Sequence, residues 1–145
     1  MIRRTLVIGN WVSDFMFATD RYDIDGVLSC LYDAGAPKWA LEEAEDLMEN
    51  CDYNCGFTYS GPQRYRYINA KKHRAVVLIG PAASGAEFLD TFTHELYHLV
   101  VAIASEMGVD LEGEAPAYIA GDSARELAEV VCKLGCDHCS KLRVH

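Results

Sequence analysis

The hydrophobic positions along the chain predict strands and helices in a mixed order. A β-branched run, Thr5–Gly9, predicts an opening strand, and the continuous apolar run Ala75–Gly80 predicts a buried strand. Pro37–Asn50 predicts a helix, because its apolar residues recur on one face and Pro is tolerated in a first helical turn. The stretch 11–33 has no clear period, and its best feature is a short helix around Gly26–Tyr32.

Residues 56–68 predict a β-hairpin. Two segments, Gly56–Tyr59 and Arg64–Ile68, alternate polar and aromatic residues, as strands with one buried face do. Ser60–Gln63 separates them and contains a Gly-Pro pair, which is typical of a turn.

A long helix is predicted from Ser84 to Met107. Ser84 is followed three residues later by Glu87, the spacing of a capping box, and Gly108 marks the C-terminal end. Hydrophobic residues recur at helical spacing through this segment, which predicts a stripe that faces the core. The stripe consists of Leu89, Phe92, Leu96, Leu99, Val100, Ile103 and Met107.

A second helix is predicted in the C-terminal part of the chain. It begins around Gly113–Pro116, runs to about Leu134, and kinks or restarts at Gly121–Ser123. The short connection after Gly108 predicts that the two helices pack as an antiparallel pair. Together these elements predict one α+β domain over residues 1–145, with a small antiparallel or mixed sheet packed on the long helix.

Composition and charge narrow the class of protein. The chain has 145 residues, half of them hydrophobic, and its 13 basic and 22 acidic residues give a net charge of −9. This charge argues against nucleic-acid binding, and the apolar runs are too short for a membrane helix. The N-terminal residues do not form the apolar stretch of a secretory signal, so we expect a cytoplasmic protein.

One motif in the long helix points to chemistry. Residues 94–98 read His-Glu-Leu-Tyr-His, an H-E-x-x-H sequence. His94 and His98 lie one turn apart on the same helix face, where two imidazoles can bind one zinc ion. Glu95 is rotated about 100° from His94, so it can act as a general base on a water molecule without binding the metal.

The motif and the segment after it resemble the gluzincin branch of the zincin metallopeptidases. In that family a Glu on a helix downstream of H-E-x-x-H is the third zinc ligand, often in an E-x-x-A pattern followed by an acidic or aromatic residue. The stretch Glu114-Ala-Pro-Ala-Tyr118 matches that pattern. The resemblance therefore implies that Zn²⁺ is bound by His94, His98 and Glu114.

The resemblance covers roughly residues 75–130 and implies a zincin-like fold. The chain looks like the small stand-alone H-E-x-x-H proteins of bacterial and phage genomes. Other carboxylates remain open as the third ligand, because the chain must return the length of the long helix to bring Glu114 back to the histidines. These alternatives are Glu112, Asp122 and Glu126.

The implied activity is hydrolysis of a peptide or protein substrate. Zinc lowers the pKa of its water, Glu95 takes the proton, and the attacked carbonyl is polarised by the metal. The alternative function is a binding or regulatory protein on the same scaffold, with a structural or vestigial metal, because the chain is too short for a second subdomain.

Neighbouring polar residues are candidates for supporting roles. Tyr118, one turn beyond Glu114, is the better candidate for stabilising an oxyanion, and Tyr97 is the second because its side chain is expected to point into the core. Asp90, four residues before His94, is interpreted as a solvated carboxylate, with support of the His94 ring as the alternative.

The cysteines and a cluster of basic residues complete the sequence-based hypotheses. The chain has six cysteines, Cys30, Cys51, Cys55, Cys132, Cys136 and Cys139. In a cytoplasmic protein we expect free thiols, with a disulfide as one alternative. The other alternative is a structural Cys₄ zinc site built from the pairs Cys51/Cys55 and Cys136/Cys139, with His138 and Cys132 as alternates. A charged strand edge is the preferred interpretation of the basic cluster, and a docking surface for an acidic partner is the alternative. This cluster consists of Arg64, Arg66, Lys71, Lys72 and Arg74.

Overall fold

The computed structural model describes residues 1–62 and 72–137. Four strands form one mixed sheet within these ranges. The strands are β1 (Ile2–Ile8), β2 (Trp11–Phe17), β3 (Gly56–Pro62) and β4 (His73–Ile79). The same ranges contain five helices. The helices are α1 (Ile24–Asp33), α2 (Lys38–Asn50), α3 (Gly85–Met107), α4 (Glu114–Glu126) and α5 (Ala128–Gly135).

The order of the strands across the sheet is β1-β2-β4-β3. β1 and β2 form an antiparallel hairpin, whose turn contains Gly9 at a φ of 59°, a left-handed conformation that Gly adopts without strain. β2 runs parallel to β4, and β3 runs antiparallel to β4. β1 and β3 are therefore the two edges of the described sheet.

Helices cover both faces of the sheet, and the side chains of β4 are buried on both of these faces. Ala75, Val77 and Ile79 belong to the apolar cluster that includes residues of α3, α4 and α5. Val76 and Leu78 belong to the opposite cluster, against α1 and α2. The continuous apolar run in the sequence thus reflects a strand that is buried on both faces. The predicted α+β class, with a mixed sheet and the long helix packed on it, is confirmed.

The predicted ends of two helices are confirmed. The Ser84 hydroxyl accepts a hydrogen bond from the Glu87 backbone N–H at 3.2 Å, and α3 ends at Gly108 with a φ of 70°. α2 begins directly after Pro37 and buries Ala40 on its inner face, as the pattern predicted.

The predicted turn at Ser60–Gln63 is wrong in position. β3 continues through Pro62, because Ser60 and Gly61 stay in register with Ala75 and Arg74 of β4. The second predicted strand of that hairpin, Arg64–Ile68, lies outside the described residues.

The predicted break at Gly121–Ser123 is also displaced. The Ser123 hydroxyl donates to the Ile119 carbonyl at 2.7 Å within an uninterrupted helical turn. The break comes at Leu127, which is buried and separates α4 from α5. Helical hydrogen bonds continue on both sides of it, since the Leu127 N–H donates to the Ser123 carbonyl and the Val131 N–H donates to the Leu127 carbonyl.

The inner face of α3 differs from the predicted stripe at its ends. Leu89 and Met107 are exposed, and Phe88 is buried instead. Phe88 stacks on Phe92 with ring centroids 6.0 Å apart, beside Phe17 of β2. Within the part of the chain that the structure describes, no helix is long and apolar enough to cross a bilayer.

Candidate functional site

The two histidines of the H-E-x-x-H sequence lie together on the exposed side of α3. Their Nε2 atoms are 3.2 Å apart, and the ring centroids are 4.8 Å apart in an edge-on arrangement. Both residues are exposed to solvent. The helix thus places the two imidazoles in the arrangement that the i, i+4 spacing predicts.

Glu95, unlike the two histidines, is buried, with 6% of its surface exposed. The Thr58 hydroxyl of β3 donates a hydrogen bond to Oε2 of Glu95 at 2.5 Å. Oε1 of the same carboxylate lies 4.0 Å from Nε2 of His94. Glu95 therefore joins the edge of the sheet to the histidine pair.

Gly56, the first residue of β3, makes room for the Glu95 side chain. A Cβ built on Gly56 would lie 2.6 Å from Cγ of Glu95, closer than side chains tolerate. The start of β3 is tied to the end of β4, because the Gly80 backbone N–H donates to the Cys55 carbonyl at 2.8 Å. The Asn54 N–H donates to the Pro81 carbonyl at the same distance.

A groove of about 370 Å³ runs beside this carboxylate. Its described lining comes from α2, from β3 and from α3. The lining residues are Trp39 and Glu43, then Gly56, Phe57, Thr58 and Ser60, then Glu95 and His98. The groove therefore lies beside β3, an edge strand of the described sheet, and ends at one of the two histidines.

The carboxylates predicted as third ligand lie in other places. Glu114 is the exposed first residue of α4, and Glu112 lies in the connection before it. Asp122 and Glu126 line a cavity against β1, at the opposite edge of the sheet from β3. Three strand spacings, about 14 Å, separate those edges. Among the described residues, no three His, Cys, Asp or Glu side chains form a group that could hold a metal.

Of the two candidate tyrosines, Tyr97 is the one beside the histidines. Its ring centroid lies 6.3 Å from that of His98, and the side chain is exposed, so the expectation that it points into the core is wrong. Tyr118 is equally exposed, on α4, and is not among the described residues that line the groove. Asp90 is exposed, which agrees with its interpretation as a solvated carboxylate.

Cys51 and Cys55 form a disulfide, so the expectation of free thiols is wrong for this pair. Their Cα atoms lie 6.4 Å apart, within bridging distance, because the chain turns back between α2 and β3. This bond also removes the pair from the alternative Cys₄ zinc site. Burial, with the Asp14 carboxylate as a second cause, raises the pKa of the Cys30 thiol to about 11. His138 and Cys139 lie outside the described residues.

Arg74, one of the five residues of the predicted basic cluster, pairs with a buried carboxylate and does not extend into solvent. The Arg74 guanidinium donates to the carboxylate of Asp14, which is buried, at 2.8 Å. The Thr5 hydroxyl donates to the same carboxylate at 2.6 Å. Arg64, Arg66 and Lys71 lie outside the described residues.

Burial by itself raises the pKa of Asp14. The hydrogen bonds from Thr5 and Arg74 outweigh it, and the charges of Arg3 and Arg74 add to them. The net result is a pKa below the ordinary value of an Asp side chain.

Gly56, Thr58 and the residues of α2 belong to the site, although no sequence motif marks them. A Gly within a strand pattern is a sign of close approach by another group, and this could have drawn attention to Gly56. Nothing local marks Thr58, because its role depends on which strand lies over α3.

Comparison of the chain with protein-family models, with curated proteins and with solved structures gives no match.

Proposed function

We propose that this chain is a zinc-dependent peptidase whose site is formed by α3 and the edge strand β3. The separation of the two histidine Nε2 atoms carries the proposal. Two nitrogen ligands on one tetrahedral zinc ion are about 3.3 Å apart, given Zn–N bonds of about 2.0–2.1 Å. His94 and His98 are separated by 3.2 Å at these atoms. The donor set therefore fits two positions of such an ion.

A zinc ion bound by this pair would supply a Lewis acid, which acidifies water and polarises a substrate carbonyl. Glu95 supplies the proton acceptor, because its carboxylate oxygen Oε1 lies 4.0 Å from Nε2 of His94. The Thr58 hydroxyl holds one carboxylate oxygen and leaves the other, Oε1, directed towards the histidines.

The edge of β3 supplies a surface for an extended peptide. Within the described residues β3 is an edge strand, and a peptide can pair with the backbone N–H and C=O groups of such a strand. The groove beside Glu95 follows this edge, so a peptide lying along it would pass the carboxylate and His98. The mixed sheet packed on α3 agrees with the zincin-like fold that the resemblance implies.

The third ligand is Glu114 by the resemblance alone, because this residue lies at the start of α4 and, among the described residues, is not in a group with the two histidines. The test is a panel of single variants, Glu114→Gln, Glu112→Gln, Asp122→Asn and Glu126→Gln, each titrated with zinc by calorimetry. Loss of a protein ligand is expected to weaken zinc binding by roughly tenfold or more, and only one member of the panel should show it. If all four bind zinc like the unaltered protein, none of them is a ligand.

The peptidase itself is tested with His94→Ala, His98→Ala and Glu95→Gln. We expect the histidine variants to lose zinc, and Glu95→Gln to keep zinc but lose hydrolysis of casein or of a quenched fluorescent peptide. The same 3.2 Å separation also fits a hydrogen bond between the two rings, so metal analysis of the purified protein comes first. A protein that neither contains zinc nor takes it up would overturn the proposal.

A binding or regulatory protein on this scaffold is the second candidate. It is favoured by one observation, that no third ligand joins the histidine pair among the described residues. The two candidate functions predict different results for the variant Glu95→Gln. If that variant binds zinc and keeps the biological effect of the protein, the binding role is correct and the peptidase is not.

A further inference from the structure

Trp39 is a large aromatic side chain that the fold leaves in solvent. It is 61% exposed, on α2, and it lines the groove beside Glu95. Trp11, the other tryptophan, is 3% exposed and donates a hydrogen bond to Glu106. An exposed indole at the wall of a groove offers an apolar face and a negative π surface to a ligand.

Glu43 lies on the same face of α2 as Trp39, one turn further along, and lines the same groove. Lys38, the cation at the start of this helix, pairs with Glu42 at 3.5 Å and so lies beside a different carboxylate. The wall formed by α2 therefore combines an indole face with a carboxylate. A side chain that is cationic at its tip and apolar along its stem matches both groups.

We propose that Trp39 and Glu43 form a subsite for a Lys or Arg side chain of a peptide that lies along β3. This proposal rests on the proposed peptidase function, because it assigns the substrate class of that same groove. The cation lies over the indole of Trp39 and pairs with the carboxylate of Glu43. The remaining backbone of the peptide runs past Thr58 towards Glu95 and His98, which line the same groove.

The test compares two peptides that differ in one ammonium group. Acetyl-Ala-Ala-Lys-Ala-Ala-amide and its norleucine counterpart share the same four-carbon side-chain stem, and only the Lys peptide carries the terminal ammonium. Each is titrated into the zinc-loaded protein by calorimetry. We expect the Lys peptide to bind roughly 3- to 10-fold more tightly. Quenching of Trp39 fluorescence by the Lys peptide locates the binding, since Trp11 is buried.

Variants of α2 provide the matched control. Glu43→Gln should reduce the affinity for the Lys peptide to that for the norleucine peptide, whereas Glu45→Gln should not. Glu45 is exposed on the same helix and is not among the described residues that line the groove. Both variants replace a Glu with Gln, so they make the same change in net charge. Equal losses in the two variants would mean that only the overall field of the protein matters, and the subsite would be rejected. Trp39→Leu should weaken both peptides.

The outcomes separate this proposal from the peptidase. If Glu95→Gln keeps the Lys preference and the unaltered protein cleaves nothing, the subsite is correct and the peptidase is not. If the protein cleaves peptides with no preference for Lys or Arg near the scissile bond, the peptidase is correct and the subsite is rejected. If neither peptide binds, the subsite is also rejected.

Discussion

Gly56 in β3 lies so close to Glu95 in α3 that a methyl group at position 56 would come within 2.6 Å of Cγ of the glutamate. This contact joins the edge of the sheet to the residue that we propose as general base. The position of the carboxylate thus depends on the absence of one side chain from a neighbouring strand.

Gly56→Ala is expected to displace Glu95 and lower the proposed activity by up to about 100-fold, because catalysis is sensitive to shifts of about 1 Å. Zinc affinity should be unchanged, since the histidines are not touched. The measurement is kcat/KM on a peptide substrate alongside zinc titration. Gly121→Ala is the control, because a Cβ there meets nothing within 4 Å. Equal activity in both variants would contradict the expected role of Gly56.

Thr58→Val keeps the shape of the side chain and removes the hydroxyl that donates to Glu95. The buried carboxylate then loses its donor, so we expect the free energy of unfolding to fall by about 1–3 kcal/mol. We also expect kcat to fall, because the carboxylate loses the contact that fixes its position. Urea unfolding and steady-state kinetics measure the two effects. Thr58→Ser keeps the hydroxyl and should restore both.

Tyr97 and Tyr118 are distinguished by one pair of variants. Tyr97 lies beside His98 and Tyr118 lies on α4, so we expect Tyr97→Phe to lower kcat with little change in KM and Tyr118→Phe to change neither. Steady-state kinetics on one peptide substrate measures this. The reverse result would favour Tyr118, the residue that the sequence predicts for oxyanion stabilisation.

The buried carboxylate of Asp14 makes stability depend on pH. Its pKa is lowered in the folded protein, so its contribution is present above the unfolded-state pKa of about 3.9 and is lost as the pH falls through the folded-state value. We expect acid unfolding below about pH 4 to be less steep in Asp14→Asn. Thermal unfolding, followed between about pH 2 and pH 7 in steps of about one pH unit, measures this. Asp46→Asn, at an exposed site on α2, is the control.

Loss of the disulfide between Cys51 and Cys55 should loosen the start of β3. The bond closes a short loop, so the chain-entropy estimate of its contribution is only about 2 kcal/mol. Cys55→Ser is therefore expected to lower the free energy of unfolding by about that amount and to reduce the proposed activity through Gly56 and Thr58. Cys132→Ser, at an exposed thiol, should change neither quantity. Urea unfolding with and without reductant provides the comparison.

The sequence by itself determined the features that depend on near neighbours in the chain. The cap at Ser84, the end of α3 at Gly108 and the shared face of His94 and His98 all follow from spacings of three or four residues. The buried strand β4 was also predictable, because burial on both faces requires a continuous apolar run.

Only the tertiary structure decided what surrounds those features. Thr58 reaches Glu95 across 37 positions of sequence, and Arg74 reaches Asp14 across 60. Trp39 enters the groove because α2 packs at the same edge of the sheet as β3. Local periodicity specifies which residues share a face, but not which distant element covers that face. That choice follows from how the two apolar clusters on opposite sides of the sheet are filled.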